Sequence, residues 1–454
     1  MAIAPWDENA TELYANAGFN VLFINWGATM YNPTYGFEGS LVEKIMDWAW
    51  ERNIKCFIYG PLYTLSATHE SLINPQKADG VNFFASQAAL NAYVATKLKG
   101  VVDHPAFYGV SLVDEAYYTQ FEAMGQVYQA VQSVKEGAFC NMNLNPMSYS
   151  WQAMERYCET SYKWVNEDGK KENFSAAEME ACYVEYLDTY YDKVGKYCGY
   201  IQYDSYPMLY YTTSNFLYPH IRNAQIVAEY CTKYGMRFGH VYQTYKDAAS
   251  TGRRALDKND IKWQVNLGLA FGVKDHSYYT YYPVLNSSDR PDEDYTIVDR
   301  NGDPNDMYYW VQGLNEDMAV FAKAMAHFEY RDMQYYTKGN VDSSMQEALN
   351  IVENVGKFDE RLTNVAISAK GVALVTELCD TENGWFGYFV MNATNPYNGL
   401  FGTTTVATQT VTLTFNGYSK AQIYQDGAVK TVTLTNGQLS LTLAEATGAF
   451  VIPY

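Results

Sequence analysis

No stretch of this 454-residue chain approaches the roughly 18 to 20 consecutive apolar residues of a membrane helix, so no membrane partner is expected. Cysteines are few. The seven, at positions 56, 140, 158, 182, 198, 231 and 379, form no C-x-x-C spacing. Their scatter and odd count argue against a disulfide framework and against a zinc site. The six histidines never fall into the H-x-H or H-E-x-x-H spacing of hydrolytic metal sites. There is no G-x-S-x-G elbow, and no glycine-rich phosphate loop follows the first expected strand. Asp299-Arg-Asn-Gly-Asp303 lacks the closing Glu of a calcium loop and reads as a turn. No metal and no cofactor is expected. Basic residues are also short: 32 Lys and Arg face 51 Asp and Glu, a net charge of −19. That balance disfavours nucleic acid, anionic membranes and polyanionic glycans, and favours neutral or cationic partners. The opening Met1-Ala2-Ile-Ala-Pro-Trp is no basic-then-apolar leader, which leaves localisation open between cytoplasmic and secreted with a leader removed. Oligomeric state is not legible.

Tyrosine is what the chain has in excess, 43 against 21 Phe and 9 Trp. A tyrosine ring combines an apolar face with a hydroxyl, a pairing that suits sugars. Most will pack on half-buried helix faces, so only those at strand ends bear on function.

Short apolar runs alternate with helix-period stretches over the first two-thirds of the chain, the pattern of a parallel sheet with crossover helices. The expected strands are Ile3–Trp6, Phe19–Asn25, Lys55–Tyr59, Phe107–Val113, Phe139–Asn143, Tyr200–Tyr203, Phe238–Gln243 and Asp275–Tyr281. The helix after the fifth places Met179, Cys182, Tyr183, Tyr186, Leu187 and Tyr190 on one face. Eight such repeats predict an α/β fold, a (β/α)8 TIM barrel over residues 1–330. Residues 331–363 read as a polar connecting segment. From 364 to 454 period-two alternation and the turns Asp426-Gly427 and Asn436-Gly437 predict a small antiparallel β-sandwich.

In a parallel barrel the strand C-termini build the site. The fourth expected strand ends in two acids, Asp114 and Glu115, and the sixth runs into Asp204. A buried strand should not finish in charge unless the charge emerges at water or a ligand. Each acid has a plainer reading: Asp114 or Glu115 as a helix cap, Asp204 as a turn former before Pro207. The remaining strand ends supply amides and rings: Trp6, Asn25, Trp26, Tyr59, Asn145, Tyr206, Gln243 and Tyr281. Acids and amides pair with hydroxyls while rings stack beneath sugar faces. Glycoside cleavage needs two carboxyls, one to protonate the leaving oxygen and one as nucleophile or base. The expectation is therefore a glycoside hydrolase acting on a neutral glycan through Glu115, Asp204 and Asp114. The alternative is a barrel that binds carbohydrate without cleaving it.

The string His104-Pro-Ala-Phe-Tyr-Gly-Val-Ser-Leu-Val-Asp-Glu115 resembles the fourth-strand segment of barrel glycoside hydrolases related to clan A. Gln264-Val-Asn-Leu-Gly-Leu-Ala-Phe-Gly272 and Tyr278-Tyr-Thr-Tyr-Tyr-Pro283 look like the passage into the same group's eighth strand. Ile297-Val-Asp-Arg-Asn-Gly-Asp-Pro304, Trp310-Val-Gln-Gly-Leu-Asn315 and the closing Ala446-Thr-Gly-Ala-Phe-Val451 are similar to its last loop, last helix and C-terminal β domain. The resemblance implies Glu115 as proton donor. It departs at the seventh strand, where that family carries its nucleophilic glutamate and this chain has Gln243. Acids on strands four and six instead resemble the placement in α-galactosidase-type barrels.

Overall fold

The computed structural model describes residues 6–25, 36–60, 62–63, 65, 69–148, 151–158, 175–209, 214–246, 252–283, 295–338, 351–353, 355–368, 371–394 and 408–454. They form two compact units, one running up to Asp204 and one from Ser205 to Tyr454.

The first unit holds five parallel strands in chain order: β1 (Val21–Asn25), β2 (Lys55–Tyr59), β3 (Phe107–Ala116), β4 (Phe139–Leu144) and β5 (Tyr200–Asp204). These are the second to sixth expected strands; the first, Ile3–Trp6, lies outside the described residues except for Trp6. Helices alternate with them, several started by a polar cap that satisfies an otherwise orphaned N–H. Ser40 caps Leu41–Glu51, Ser86 caps Gln87–Lys97, and Ser175 with Glu178 makes a capping box on Ala176–Tyr190. That last helix buries Met179, Cys182, Tyr183, Tyr186, Leu187 and Tyr190, so its tyrosine stripe is core. One finding corrects the reading of the cysteines: Cys158 and Cys182 are joined in a disulfide, with 6.2 Å between their Cα atoms. The fold brings together two residues that lie 24 apart in sequence, a proximity no spacing rule announces.

The second unit opens with the last parallel pair, β6 (Arg237–Gln243) and β7 (Asp275–Tyr279). The helix Ser214–Tyr234 precedes it, and Lys258–Ala270 and Asp306–Met325 alternate with and follow it. The fold is a TIM-type β/α barrel followed by antiparallel sheets. The strands of these sheets are β8 (Phe328–Thr337), β9 (Ile351–Glu353), β10 (Val355–Gly356), β11 (Leu362–Ile367), β12 (Val372–Asp380), β13 (Trp385–Asn392), β14 (Thr408–Phe415), β15 (Lys420–Gln425), β16 (Ala428–Thr433), β17 (Gln438–Ala444) and β18 (Gly448–Pro453), paired antiparallel except for the short β9, which runs parallel to β8. They form a four-stranded sheet, β10-β11-β14-β17, and a seven-stranded one, β16-β15-β18-β13-β12-β8-β9. Val365, Val411, Leu413 and Leu441 from the first meet Val375, Tyr388, Val390 and Val451 from the second in one apolar core. Part of the expected connecting segment is in fact strand: β8 pairs along the whole of β12. Arg331 and Asp332 fall on exposed positions and interrupt the alternation that would have announced it. Within this unit the helices of the barrel pattern pack on the sandwich. Trp263 Nε1 donates to Ala393 O at 3.4 Å, Asn266 Nδ2 to Ala446 O at 3.1 Å, and the Phe321 and Phe389 rings lie 5.9 Å apart.

Candidate active site at the strand ends

Register fixes which strand-end residues stand beside one another. Asn25 is level with Tyr59, Asp114 with Asn143, and Leu144 with Tyr203. Asn143 sits between the two aspartates and joins them. Its Nδ2 donates to Asp114 Oδ1 at 2.9 Å and to Asp204 Oδ1 at 2.7 Å. Asp204 is 7% exposed, whereas Asp114 lies open to solvent. The Oδ1 of Asn143 is buried and meets no donor among the described residues.

Glu115 takes another direction. The ladder between β3 and β4 skips from Asp114 to Ala116, making Glu115 the extra residue of a bulge, with φ at 48°. A bulge re-aims a side chain, and a left-handed backbone costs a side-chain-bearing residue about 1–2 kcal/mol. Glu115 pairs with Arg156 at 3.2 Å, its side chain 44% exposed. Arg156 also donates to Asn145 Oδ1 at 2.9 Å. The buried Asn145 is fixed from behind: its Nδ2 donates to Ala116 O at 2.6 Å, and its N–H to the Tyr186 hydroxyl at 3.1 Å. Tyr186 donates in turn to Ala116 O at 2.6 Å, so the helix Ala176–Tyr190 clamps the bulge.

Of the other expected contacts in this unit, Tyr59 packs against Tyr63 in a tilted arrangement, ring centres 4.9 Å apart. Burial raises its hydroxyl pKa, with Tyr63 and the nearby Asp114 adding to the shift. Trp6 donates its indole N–H to Thr11 Oγ1 at 2.8 Å and thereby packs on the helix Glu8–Asn16. Asn25 closes β1. Trp26 lies outside the described residues.

In the second unit Gln243 is wholly buried and its amide serves the backbone. It accepts from Met208 N at 3.0 Å and donates to Met208 O and Tyr245 O at 3.3 and 3.2 Å. Tyr206 belongs to a ring cluster with Tyr245 and Tyr279, and Tyr281 packs edge-on against Tyr282 at 5.3 Å. Sequence reasoning did not single out Asn143 as a bridge, nor Arg156 at all. The only hint of Arg156 was a basic residue in the short helix Trp151–Tyr157, between two elements that drew attention instead. Among the described residues no group of three or more His, Cys, Asp or Glu is arranged to hold a metal ion.

Fold and strand-end acids define a β/α-barrel protein with carboxylates and amides gathered at the C-termini of its strands. No protein-family model and no curated protein matches the chain. It is similar in structure to several solved glycoside hydrolases. One is a family 39 glycoside hydrolase from the gut symbiont Bacteroides cellulosilyticus WH2, with 11% identity, a TM-score of 0.44, and coverage of 98% of this chain and 78% of that one. Another is the endo-β-1,4-mannanase from Thermotoga petrophila, at 11%, 0.46, 98% and 96%. A third is a family 5 glycoside hydrolase from Bacteroides vulgatus ATCC 8482, at 11%, 0.47, 98% and 85%.

Proposed function

We propose that the protein is a glycoside hydrolase that cleaves a neutral glycan with a carboxylate pair at the ends of β3 and β5. The observation that carries this is the single Asn143 nitrogen donating to both Asp114 and Asp204. A shared donor keeps the two acceptor oxygens within about 6 Å, near the roughly 5–5.5 Å of retaining glycosidases and short of the roughly 6.5–9.5 Å of inverting ones. Asp204, buried and oriented by the amide, acts as nucleophile at the anomeric carbon. Asp114, which reaches solvent, protonates the leaving oxygen and then deprotonates the attacking water. The buried Asn143 Oδ1 takes a sugar hydroxyl as its donor, which satisfies an acceptor that would otherwise be costly. Asn25 and Tyr59 serve as sugar contacts on the same unit, with Asn145 holding the bulge behind them through Ala116 O.

Glu115 as proton donor is the second assignment, favoured by its strained backbone at the bulge, since such strain collects at functional positions. Aryl glycosides of graded leaving group separate the two. Asp204→Asn should lower turnover of every substrate by about 100- to 10,000-fold. The variant of the true donor, Asp114→Asn or Glu115→Gln, should lose poor leaving groups by a similar factor yet still release dinitrophenol. Wild-type rates in all three variants would sink the hydrolase reading. Binding of glycans without any released sugar would instead favour a non-catalytic barrel, the reading that fits the buried, committed amide of Gln243 in β6.

A further inference from the structure

Two consecutive arginines in the second unit have opposite surroundings. Arg254 makes a forked ion pair with the fully buried Asp260, at 2.7 and 2.6 Å. Arg253 meets no acceptor for its side chain among the described residues, and its Nε is buried without a partner. This is notable in a chain with 51 acids to 32 bases. Its guanidinium carbon lies 5.0 Å from the Tyr206 ring centre and 5.4 Å from that of Tyr245. The backbone holds it there: Arg253 forms a bridge with Leu209, and Arg254 N donates to Met208 O at 3.1 Å. Tyr206, Tyr245 and Tyr279 form a mutual cluster with ring centres 5.3 to 5.9 Å apart, and Tyr279 is 39% exposed. Gln243 fixes Tyr245 through the carbonyl at 3.2 Å.

A guanidinium stacked on rings keeps its charge and its planar N–H edge, and that edge matches the two oxygens of a carboxylate or sulfate. Tyrosine faces beside it suit the apolar face of a sugar ring. We infer that Arg253 with Tyr206, Tyr245 and Tyr279 forms a subsite for a sugar unit bearing a carboxylate or sulfate ester. The inference rests on reading the ligand as a glycan. Net charge disfavours a polyanion, so the fitting ligand is a neutral chain carrying sparse acidic units.

A glycan array of matched sets tests this on the full chain, each sugar present as its neutral form, uronate, uronate methyl ester and sulfate ester. Asp204→Asn serves as background so that cleavage does not deplete the probes. At least one uronate or sulfate should bind about tenfold or more tighter than its neutral partner and the methyl ester, and Arg253→Met should abolish that preference. The uronate and sulfate arms identify which anion is preferred. The preference should narrow in Arg253→Lys, which keeps charge without the fork, and should shrink as salt rises. Should Arg253→Met fail to fold, the lysine variant and the salt series decide instead. No acidic preference, or one that survives both Arg253→Lys and high salt unchanged, overturns the subsite. Sugar release by the wild-type chain is scored separately. Release without acidic preference removes the subsite and keeps the hydrolase; preference without release does the reverse.

Discussion

At the ends of β3 and β5 two acids share an uncharged amide, whereas in the C-terminal sheets two acids share a cation and a phenol. There Arg361 donates to Asp359 at 2.8 Å and to Glu377 at 2.7 Å, and Tyr388 donates to the same Glu377 oxygen at 3.2 Å. Arg361 also sits 3.6 Å from the centre of the Phe386 ring. This second cluster is compensated within the protein, so its acids have little left to offer a ligand. The amide bridge aligns Asp114 and Asp204 without supplying a charge to cancel theirs. Paired carboxylates are thus not alike. The partner that holds them distinguishes a structural clamp from a candidate catalyst.

The sharpest break of this contrast is Asp204→Asn against Glu377→Gln, scored on turnover. The first should nearly abolish it and the second should leave it intact. Arg361→Ala should act on stability instead. It strands Glu377, 6% exposed as a side chain, beside Asp359, and should cost about 2–4 kcal/mol in chemical denaturation, somewhat under a fully buried pair because Arg361 is itself one-third exposed. A loss under about 0.5 kcal/mol, the scatter of ordinary surface substitutions, would mean the cluster is no clamp.

A smaller effect is expected with pH. Burial, then the hydrogen bond and charge of Asp359, raise the Glu377 carboxyl from 4.5 to about 7, against the lowering influence of Arg361. The folded state therefore holds a proton that the unfolded chain releases. That contribution is complete below the unfolded value and disappears as pH climbs through about 7, so stability should decline between about pH 5 and 8 by on the order of 1–3 kcal/mol. Asp359 is shifted the other way: against the raising effect of burial, its hydrogen bond with Glu377 and then those from the Leu362 and Arg361 backbone lower its carboxyl, and its contribution is lost only as pH falls below its ordinary range. Glu377→Gln should flatten the decline; an unaltered slope would assign it to other groups. Last, Tyr186→Phe removes the hydroxyl that clamps the bulge, and should cost about 1–2 kcal/mol while lowering activity less than any acid variant.

Much of this was legible in the chain. Strand order followed from apolar runs separated by helix-period stretches, and the helix Ala176–Tyr190 buried the very stripe its spacing indicated. Asp114, Glu115 and Asp204 were visible because charge ending an apolar run needs an outlet. What stayed hidden depends on neighbours distant in sequence. The bulge at Glu115 is a mismatch between β3 and β4 and exists only when both are paired. The Asn143 bridge needs three strands in register, the Cys158–Cys182 bond needs two segments in contact, and Arg253 stands out only once its Nε is seen to be buried with no partner among the described residues.

The bulge carries a consequence for how such a chain could change. Because Glu115 is supernumerary in its ladder, losing that one codon would bring Asp114 and Ala116 into unbroken step with Asn143 and Leu144. The Arg156 partnership would vanish while the aspartates kept their common amide. An inherited deletion of three nucleotides would then separate the contributions of the two acids more cleanly than any exchange of side chains.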